Sequence, residues 1–461
     1  MSHIPAHLRS FALGFALLGL LLSPSGCKDT SAPSKPKASG ETAAQTQDQG
    51  PVLESRPGTP KKGRRTPRKD GARAMGQTFK QLKEAGRAMS GHLNDFSLAL
   101  GRRVPPDAKG NRLLSPWSAS GVLHALMLGA RGETEKEMRE ALGAKLPGQA
   151  QHGSLRLLNL RILRAGGSPM ATLRMASRAW ASDRFPLRAD YAKLLGDLQG
   201  AELGLLDFKG KNAEALKSIN GWVSEATSGK IPQLLKTLST ETRLALASAA
   251  YFKGQWASRF PSAGTKVEPF KSFGGEVKAP LMRQKGSFRY AEAEGVQALS
   301  LPYQGGQFSM LLLLPAPGKE ALESFEGRLD AAQLARLRST LQPAEVSVFL
   351  PRFAHRTRVE LKDALGALGM KRAFGREADF SGLSNAKEPL WIDQVTHEVF
   401  ASVDEQGTEA AATTAVGVVG GAAPAAPKEL RADRPFLFFI LHERTGTVLF
   451  SGRVGAPLEE R

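Results

Sequence analysis

The sequence predicts an α+β protein in which helices come mainly first and strands mainly later. Apolar residues recur at helical spacing after residue 75, helix-start signals follow near residues 115 and 134, and apolar runs of strand length come afterwards. No regular alternation of strand and helix runs through the chain, and no internal repeat is present. The pattern therefore favours the α+β class over a repeated strand-helix architecture.

The first predicted helix carries a single apolar stripe. Its members are separated by three, four or seven residues: Phe79, Leu82, Met89, Leu93, Phe96 and Leu100. Such spacing places all six side chains on one face, so this helix is predicted to pack against the core.

Two further helix starts are marked by capping residues. Ser115 precedes Pro116, which is favoured in a first turn because its missing N–H has no partner there in any case. Thr134 and Glu137 have the spacing of a reciprocal capping box, and Gly143 lies where that helix should end. The buried face predicted for the earlier of the two helices consists of Val122, Leu123, Leu126 and Met127.

Buried strands are predicted where apolar runs are bounded by Gly or Pro. These runs are residues 245–252, 308–314 and 346–350. At the end of the chain, residues 436–441 and 447–450 are predicted to form a hairpin.

Composition excludes several classes of protein. Of the 461 residues, 41% are hydrophobic and 22 are Phe, which argues against wholesale disorder, and 23% are charged, as is ordinary for a globular chain. The single cysteine, Cys27, excludes an intramolecular disulfide framework and a zinc site built on several thiolates.

Residues 1–27 have the pattern of an export signal. Arg9 precedes a short apolar run at residues 11–22, which is too short for a permanent membrane-spanning helix. Small residues directly before Cys27 resemble a bacterial lipoprotein signal, although Pro24 stands where that motif prefers an aliphatic residue. We expect Cys27 to be lipidated, with simple secretion as the alternative. Since Lys28 follows it rather than Asp, the outer membrane or cell surface is the expected location.

Residues 28–75 are predicted to be a disordered tether, and residues 76–461 a folded domain. The tether has no aromatic residue and six Pro, so it cannot bury enough apolar surface to offset its conformational entropy. Residues 1–75 hold 12 of the Lys and Arg and five of the Asp and Glu, which assigns +7 of the net +19 to them. The densest basic cluster, residues 61–69, contains no aromatic for base stacking. The sequence thus favours attraction to anionic lipid and predicts no nucleic-acid partner.

No catalytic constellation is found, so the protein is predicted not to be an enzyme. The chain lacks a Gly-x-Ser-x-Gly elbow and a phosphate-binding loop, and His397-Glu398 lacks the second His of a zinc-protease helix. Ser34-x-x-Lys37 fits a nucleophile motif but falls in the tether. His442-Glu443 is interpreted as a surface pair at the hairpin turn.

The segment at residues 404–424 is rich in Ala, Gly and Thr. Taken alone it is typical of an exposed, protease-sensitive loop. In an extended conformation, however, one face would carry only small, uncharged side chains. They are Thr408, Ala410, Ala412, Thr414 and Val416. The other face carries Glu409 as its only charge, so the loop could become a strand of a sheet.

This segment and six or more others resemble the serpin family. They occur in the family's order along nearly all of the predicted domain. The other matching blocks are Asn111 with Ser115-Pro116-Trp117-Ser118, Gly129-Ala130-Arg131-Gly132-Glu133-Thr134, Ile219-Asn220-Gly221-Trp222-Val223, Thr227-Ser228-Gly229-Lys230-Ile231, Tyr251-Phe252-Lys253-Gly254-Gln255-Trp256, Leu350-Pro351-Arg352-Phe353, Ala378-Asp379-Phe380-Ser381 and Arg434-Pro435-Phe436-Leu437-Phe438.

The resemblance implies a single monomeric domain of three β-sheets and about nine helices, with an exposed reactive-centre loop and no cofactor. In that family a serine protease, or sometimes a cysteine protease, cleaves the loop and forms an acyl-enzyme. The loop then inserts into the main sheet and deforms the protease. A serpin fold used only for binding or as a scaffold is the alternative.

The resemblance also implies a hinge and a reactive bond. The hinge residues are Glu405, Gly407, Thr408, Glu409, Ala410, Ala411 and Ala412. Counting from the hinge places the scissile bond at Gly421-Ala422. The scissile bond could also lie elsewhere between Val418 and Ala423, an interval that includes Val419 and Gly420. All of these residues are small and uncharged, which favours an elastase-like or subtilisin-like protease over a trypsin-like one.

Four more residues match positions beneath and above the opening of the family's main sheet. Ser118, Ser248 and His397 match a buried polar cluster, and Trp256 matches a tryptophan near the point of loop entry. Since the family usually has Asn where Ser248 stands, we expect the shorter side chain to alter this cluster.

Overall fold

The computed structural model describes residues 69–146, 148–168, 171–197, 202–407 and 428–457. The described part contains nine α-helices. They are α1 (Lys69–Arg103), α2 (Pro116–Gly129), α3 (Gly132–Ala141), α4 (Gly148–Ala165), α5 (Ala189–Asp197), α6 (Asn212–Ala226), α7 (Lys319–Arg328), α8 (Ala331–Thr340) and α9 (Lys362–Ala367). Within these residues, no helix combines the length and the apolar character needed to span a membrane.

Fifteen strands make up the described sheets. They are β1 (Arg112–Leu114), β2 (Gly167–Ser168), β3 (Ala171–Ser182), β4 (Glu202–Leu206), β5 (Leu244–Gly254), β6 (Lys266–Ser272), β7 (Gly275–Ala293), β8 (Val296–Pro302), β9 (Phe308–Pro315), β10 (Gln342–Pro351), β11 (Phe353–Glu360), β12 (Gln394–Val403), β13 (Lys428–Arg431), β14 (Phe436–His442) and β15 (Thr447–Val454). The predicted strands at 245–252, 308–314 and 346–350 and the C-terminal hairpin are confirmed as β5, β9, β10 and β14–β15.

The first sheet has six strands and is called here the main sheet. Its order is β11-β12-β5-β3-β2, with β4 paired to β3. β12 and β5 run parallel, with Gln394–Phe400 opposite Ala245–Tyr251, while β11 and β3 flank them in the antiparallel sense. The centre of the main sheet is therefore a parallel pair.

The second sheet has nine strands in the order β1-β15-β14-β9-β8-β7-β10-β13, with β6 also paired to β7. β7 divides it, because its early residues pair with β6 and β10 and its last residues pair with β8. β6, β10, β13 and the early part of β7 form a third, minor sheet. This arrangement confirms the predicted α+β fold.

Helix α2 lies between the two large sheets. It packs against β3 and β5 on one side and β15 on the other. All of its residues except Leu128 are buried, so the predicted apolar face is confirmed but the opposite side is buried as well. A helix enclosed on all sides can present hydroxyl groups to a sheet from within the core, and Ser118 is such a residue.

The predicted capping bonds are wrong. The Ser115 hydroxyl does not cap α2. It donates to the carbonyl of Leu449 at 2.8 Å. α3 begins at Gly132, before Thr134, and Glu137 accepts from the backbone N–H groups of Lys371 and Arg372 at 2.8 and 2.7 Å. In both cases a tertiary partner has replaced the local one.

The end of α3 agrees with the sequence prediction, whereas α1 begins earlier than predicted. α3 ends before Gly143, whose φ of +62° is the left-handed conformation expected beyond a helix end. α1 begins at Lys69, inside the stretch predicted to be tether. The Ala, Lys and Arg residues there suit a helix even without aromatic side chains.

Candidate functional site

The end of β12 turns sharply at Gly407. The backbone N–H groups of Gln406 and Gly407 donate to Asp404 Oδ1 at 2.8 and 3.1 Å, which forms the turn. Gly407 has a φ of +137°, and a Cβ at this position would collide with the carbonyl oxygen of Gly254. Glycine is thus required here, both by the conformation and by the close approach of β5.

Glu405 ties this turn to the chain that follows β5. Its backbone carbonyl accepts from Phe260 N–H at 2.9 Å, and its carboxylate accepts from the Thr265 hydroxyl at 2.7 Å. Arg352 Nη1 lies 3.7 Å from the same carboxylate. These contacts hold the turn after β12 against the chain that follows β5.

Trp256 closes the space above the turn. Its indole N–H donates to the carbonyl of Asp404 at 3.0 Å, and its backbone N–H donates to that of Gln406 at 3.0 Å. The indole stacks on the Tyr303 ring with centroids 4.5 Å apart, and the side chain is 1% exposed. The structure thus places Trp256 beside Glu405 and Gly407, at the point where the chain leaves the main sheet.

A second polar group lies below, on the α2 side of the main sheet. His397 and Ser248 are register partners on β12 and β5, and Ser177 is the register partner of Ser248 on β3. Ser118 reaches the same level from α2. The four side chains form one buried network, which includes three of the residues named from the sequence.

The hydrogen bonds of this network run in one direction. The backbone N–H of Ser115 donates to His397 Nε2 at 3.0 Å, so the imidazole proton is on Nδ1 and is donated to the Ser248 hydroxyl at 3.1 Å. Ser248 is then free to donate to Ser118 at 2.8 Å, and Ser118 to Ser177 at 3.1 Å. Ser177 donates to the backbone carbonyl of Ser118 at 2.8 Å. Each hydroxyl proton has an acceptor.

The network requires a neutral imidazole. Burial lowers the pKa of His397 to about 4. A protonated ring would carry a hydrogen on Nε2, directly opposite the Ser115 N–H, and the bond between them would be lost.

The short side chain of Ser248 does not break the network. It contacts both His397 and Ser118, because the three strands are in close register and α2 lies directly beneath them. Ser177 was missed by the sequence reasoning, and Ser115 was predicted as a helix cap and not as a member of this network. Ser177 lies on the same face of β3 as the apolar Leu173, Met175 and Ala179, and only the register of the sheet shows that it lies beside Ser248.

Several predicted site residues lie outside the described part of the chain. They are Cys27, hinge residues Thr408, Glu409, Ala410, Ala411 and Ala412, and residues Val418, Val419, Gly420, Gly421, Ala422 and Ala423 around the reactive bond. The segment that contains these hinge residues and the reactive bond joins Gly407, after β12, to Lys428, at the start of β13 in the minor sheet.

The interpretation of His442-Glu443 as a surface pair is wrong. His442 is buried at the end of β14, where its ring contacts the Thr445 hydroxyl at 2.8 Å. Glu443 pairs with Arg338 at 3.4 Å. His442 therefore stabilises the hairpin turn, and Glu443 ties the turn to α8.

The fold and this site define a class of protein in which a segment rich in small residues connects the end of one of two parallel central strands to another sheet. Residues 91–457 match the family model Serpin (serine protease inhibitor). The chain belongs to the serpin family. The fold resemblance noted in the sequence is confirmed, and the family is one of protease inhibitors rather than catalysts.

Individual relatives agree with this assignment. The chain is 39% identical over 367 residues to an uncharacterized serpin-like protein of Thermococcus kodakarensis, covering 79% of this chain and 85% of the relative. It is 36% identical over 373 residues to the leukocyte elastase inhibitor of Sus scrofa, covering 78% and 97%.

Solved structures of similar fold include the thermophilic serpin tengpin in its native state, with a TM-score of 0.72 and 26% identity over 80% of this chain and 94% of that one. Human thyroxine-binding globulin has a TM-score of 0.72 and 27% identity over 81% and 100% of the two chains.

Proposed function

We propose that the protein is a single-use inhibitor of serine proteases that acts by cleavage of the loop at residues 408–427 and insertion of its first part into the main sheet. A protease attacks the loop and becomes joined to the residue before the cut. The freed strand then enters the sheet and carries the acyl-enzyme with it, so that deacylation fails.

The observation that carries this proposal is the parallel pair at the centre of the main sheet. β12 and β5 run in the same direction, and the loop begins at a tight turn at the end of β12. A strand that reverses at Gly407 would run antiparallel to β12, and therefore antiparallel to β5 as well. A place between the two would let it form antiparallel ladders on both sides.

The expected gain in free energy is large. A new strand of about a dozen residues adds hydrogen bonds to two neighbours at about 1 kcal/mol net each, while the parallel ladder between β5 and β12 is lost. The net gain is on the order of 10 kcal/mol, comparable with the whole stability of an ordinary domain. It is sufficient to drive a conformational change that is not reversed.

The small residues around Gly421-Ala422 support a target protease with a shallow, apolar specificity pocket, of the elastase or subtilisin kind. The similarity to leukocyte elastase inhibitors at 33–36% identity points the same way. Every residue in the range from Val418 to Ala423 lacks the positive charge that a trypsin-like enzyme requires.

The decisive experiment is incubation with pancreatic elastase and with subtilisin, followed by denaturing electrophoresis. We expect a covalent complex that survives boiling in detergent. Thr408→Arg should abolish the complex and leave clean cleavage, because a charged side chain would have to enter the sheet. Glu409→Arg, on the opposite face, is the matched control and should retain the complex.

The alternative is a serpin-fold binding or scaffold protein, since a protein of this fold is named thyroxine-binding globulin. Cleavage of the wild-type chain by both proteases without any complex would favour that alternative. Uncharged small residues throughout 410–416 support the inhibitor, because bulky or charged hinge residues would obstruct insertion.

We further propose that the domain is exported and attached to the outer membrane or cell surface through a lipid on Cys27, with residues 28–75 as the tether. The apolar run at 11–22 and the small residues before Cys27 support this. Fractionation of cells expressing the protein and its Cys27→Ala variant tests the anchor. The wild type should sediment with membranes, and the variant should not.

A further inference from the structure

The parallel ladder between β5 and β12 ends with an aromatic pair. Tyr251 and Phe400 form the last rung before the strands reach the turn at Gly407. Tyr251 and Phe400 face away from His397 and Ser248, because the two rungs are three positions apart on each strand. A strand that enters the sheet from the Gly407 end would meet this rung before any other rung of the ladder.

The two rings are stacked and enclosed. Their centroids are 6.3 Å apart with an interplanar angle of 17°, and Tyr251 and Phe400 are 4% and 7% exposed. The guanidinium of Arg356, on β11, lies 5.3 Å from the Phe400 ring. The ammonium of Lys230, in the segment after α6, lies 5.8 Å from the Tyr251 ring.

The side chain of Arg356 connects β11 to β12 and to the segment after α6. One of its amino groups pairs with Glu398 at 2.9 Å, and the other donates to the backbone carbonyl of Lys230 at 3.0 Å. Glu398 is 3% exposed, so the ion pair is largely desolvated on the carboxylate side. β11, β12, β5 and the segment after α6 are thus fastened together across the rung formed by Tyr251 and Phe400.

No other rung of this described ladder has comparable side chains. On β5 the remaining residues from 245 to 250 are Ala, Leu, Ala, Ser, Ala and Ala. Below the aromatic rung, the strands can part without separating a pair of rings. The aromatic contact across the ladder is therefore confined to one end, while the hydrogen bond between His397 and Ser248 crosses the ladder further down.

We propose that Tyr251, Phe400, Arg356 and Lys230 form a clasp that limits the rate at which the main sheet opens to admit a strand. A strand placed between β5 and β12 would move them apart by about 5 Å, one strand spacing. The ring centroids would then lie beyond the 7 Å or so at which aromatic pairs interact. The clasp must therefore be broken before the inserted strand can be paired on both sides. The proposal rests on the proposed insertion of the loop, and it names the residues that set the speed of that step.

The test is the rate at which a synthetic peptide with the sequence of residues 408–419 anneals to the intact full-length protein, followed by native electrophoresis. Phe400→Ala should accelerate annealing about tenfold, which matches the energy of one aromatic pair. Phe400→Tyr keeps the ring and should anneal within about twofold of the wild type.

The matched control is Phe325→Ala, which removes a buried ring from α7, outside the main sheet. It should lower the thermal midpoint without changing the annealing rate. If Phe400→Ala accelerates annealing no more than Phe325→Ala does, the clasp is refuted and the rings serve only to pack the core.

A second variant avoids the cavity that Phe400→Ala creates. Arg356→Gln combined with Glu398→Gln removes the cation and its partner together, so that no buried charge is left unpaired. The Arg356 side chain is 35% exposed, and we expect a threefold or so acceleration with little loss of stability. An annealing rate equal to that of the wild type would contradict the proposed role of Arg356.

Annealing requires no protease, so the clasp and the inhibitor function can fail separately. Acceleration by Phe400→Ala in a protein that traps neither elastase nor subtilisin would support the clasp and overturn the proposed function. Trapping of a protease by the wild type, with no acceleration of annealing in Phe400→Ala, would support the proposed function and refute the clasp.

Discussion

The central strand pairs of the two large sheets differ in direction and in side-chain size. β9 and β14 are antiparallel and place leucine and phenylalanine opposite each other, as in the rungs Leu312↔Phe438 and Leu311↔Phe439. β5 and β12 are parallel, and β5 carries mostly Ala and Ser along the same length. Large side chains on both faces of β9 and β14 extend into two separate parts of the core.

This difference indicates which sheet can open. Separating β9 from β14 would expose several large apolar side chains at about 25 cal/mol per Å². Separating β5 from β12 breaks the hydrogen bond between His397 and Ser248, but it exposes less apolar surface, because β5 carries mostly Ala and Ser apart from the clasp at one end. The chain therefore has one sheet that resists separation and one whose centre separates at lower cost, which is the sheet that the proposed insertion uses.

The largest expected effect comes from filling the main sheet. Cleavage of the loop with subtilisin should raise the thermal midpoint by about 10 °C or more, because about 10 kcal/mol of new strand pairing is added to a large domain. Differential scanning calorimetry of intact and cleaved protein measures this.

The control for that experiment is Thr408→Arg cleaved under the same conditions. It should show no comparable rise, because the first inserted residue carries a charge. An equal rise in this variant would mean that the stabilisation does not come from insertion at the hinge.

Truncation of a buried side chain in the second sheet should lower the stability, by less than loop cleavage raises it. Phe438→Ala removes a buried ring opposite Leu312 and should lower the free energy of unfolding by about 3–5 kcal/mol. The annealing rate of the loop peptide should remain that of the wild type. A change in that rate would show that the two sheets are coupled.

Acid should weaken the main sheet through His397. Burial holds the pKa of His397 at about 4, below the value of about 6.5 expected in the unfolded chain. The unfolded state thus binds more protons, and stability should fall as the pH drops from about 6.5 to 4 and level off below that. The loss is about 3 kcal/mol at most for this residue.

Urea unfolding at several pH values measures this dependence. His397→Asn should reduce the slope of the unfolding free energy against pH, between pH 6.5 and 4, by the contribution of one titrating group. His124 is a second fully buried histidine whose pKa burial lowers to about 4, so some slope should remain. Identical slopes in wild type and variant would contradict the assignment of a neutral His397.

The smallest effects on stability are expected at Ser248 and Ser177. Ser248→Ala deprives the His397 Nδ1–H of its acceptor and Ser118 of a partner, which should cost about 1–3 kcal/mol. Ser177→Ala should cost less, because Ser118 keeps its contact with Ser248. Urea unfolding measures both losses of unfolding free energy. Equal losses in the two variants would show that Ser248 contributes no more to the network than Ser177 does.

The elements with strong local signals could be predicted from the sequence. The apolar runs of β5, β9 and β10 and the hairpin of β14 and β15 are examples, as is the start of α2 at Pro116. Local capping could not be predicted reliably, because Leu449 offers the Ser115 hydroxyl an acceptor that is distant in sequence.

The candidate site required sheet register, which periodicity does not contain. Ser118, Ser248 and His397 were found through motif resemblance, but Ser177 joins them only because β3 and β5 pair in a particular alignment. The aromatic rung depends likewise on the alignment of β5 with β12, since Tyr251 and Phe400 are far apart in the chain.

The two ends of the loop have unequal attachments. β13 follows the loop and is held in the minor sheet by its parallel pairing with β10, whereas the other end continues from the turn at Gly407. After a cut, the piece before the break can relocate while the piece after it stays in place, so the original loop cannot be rebuilt. Each molecule would then act once. Under the proposed mechanism, the amount of protease removed would be limited by the number of inhibitor molecules present, and not by any rate of turnover.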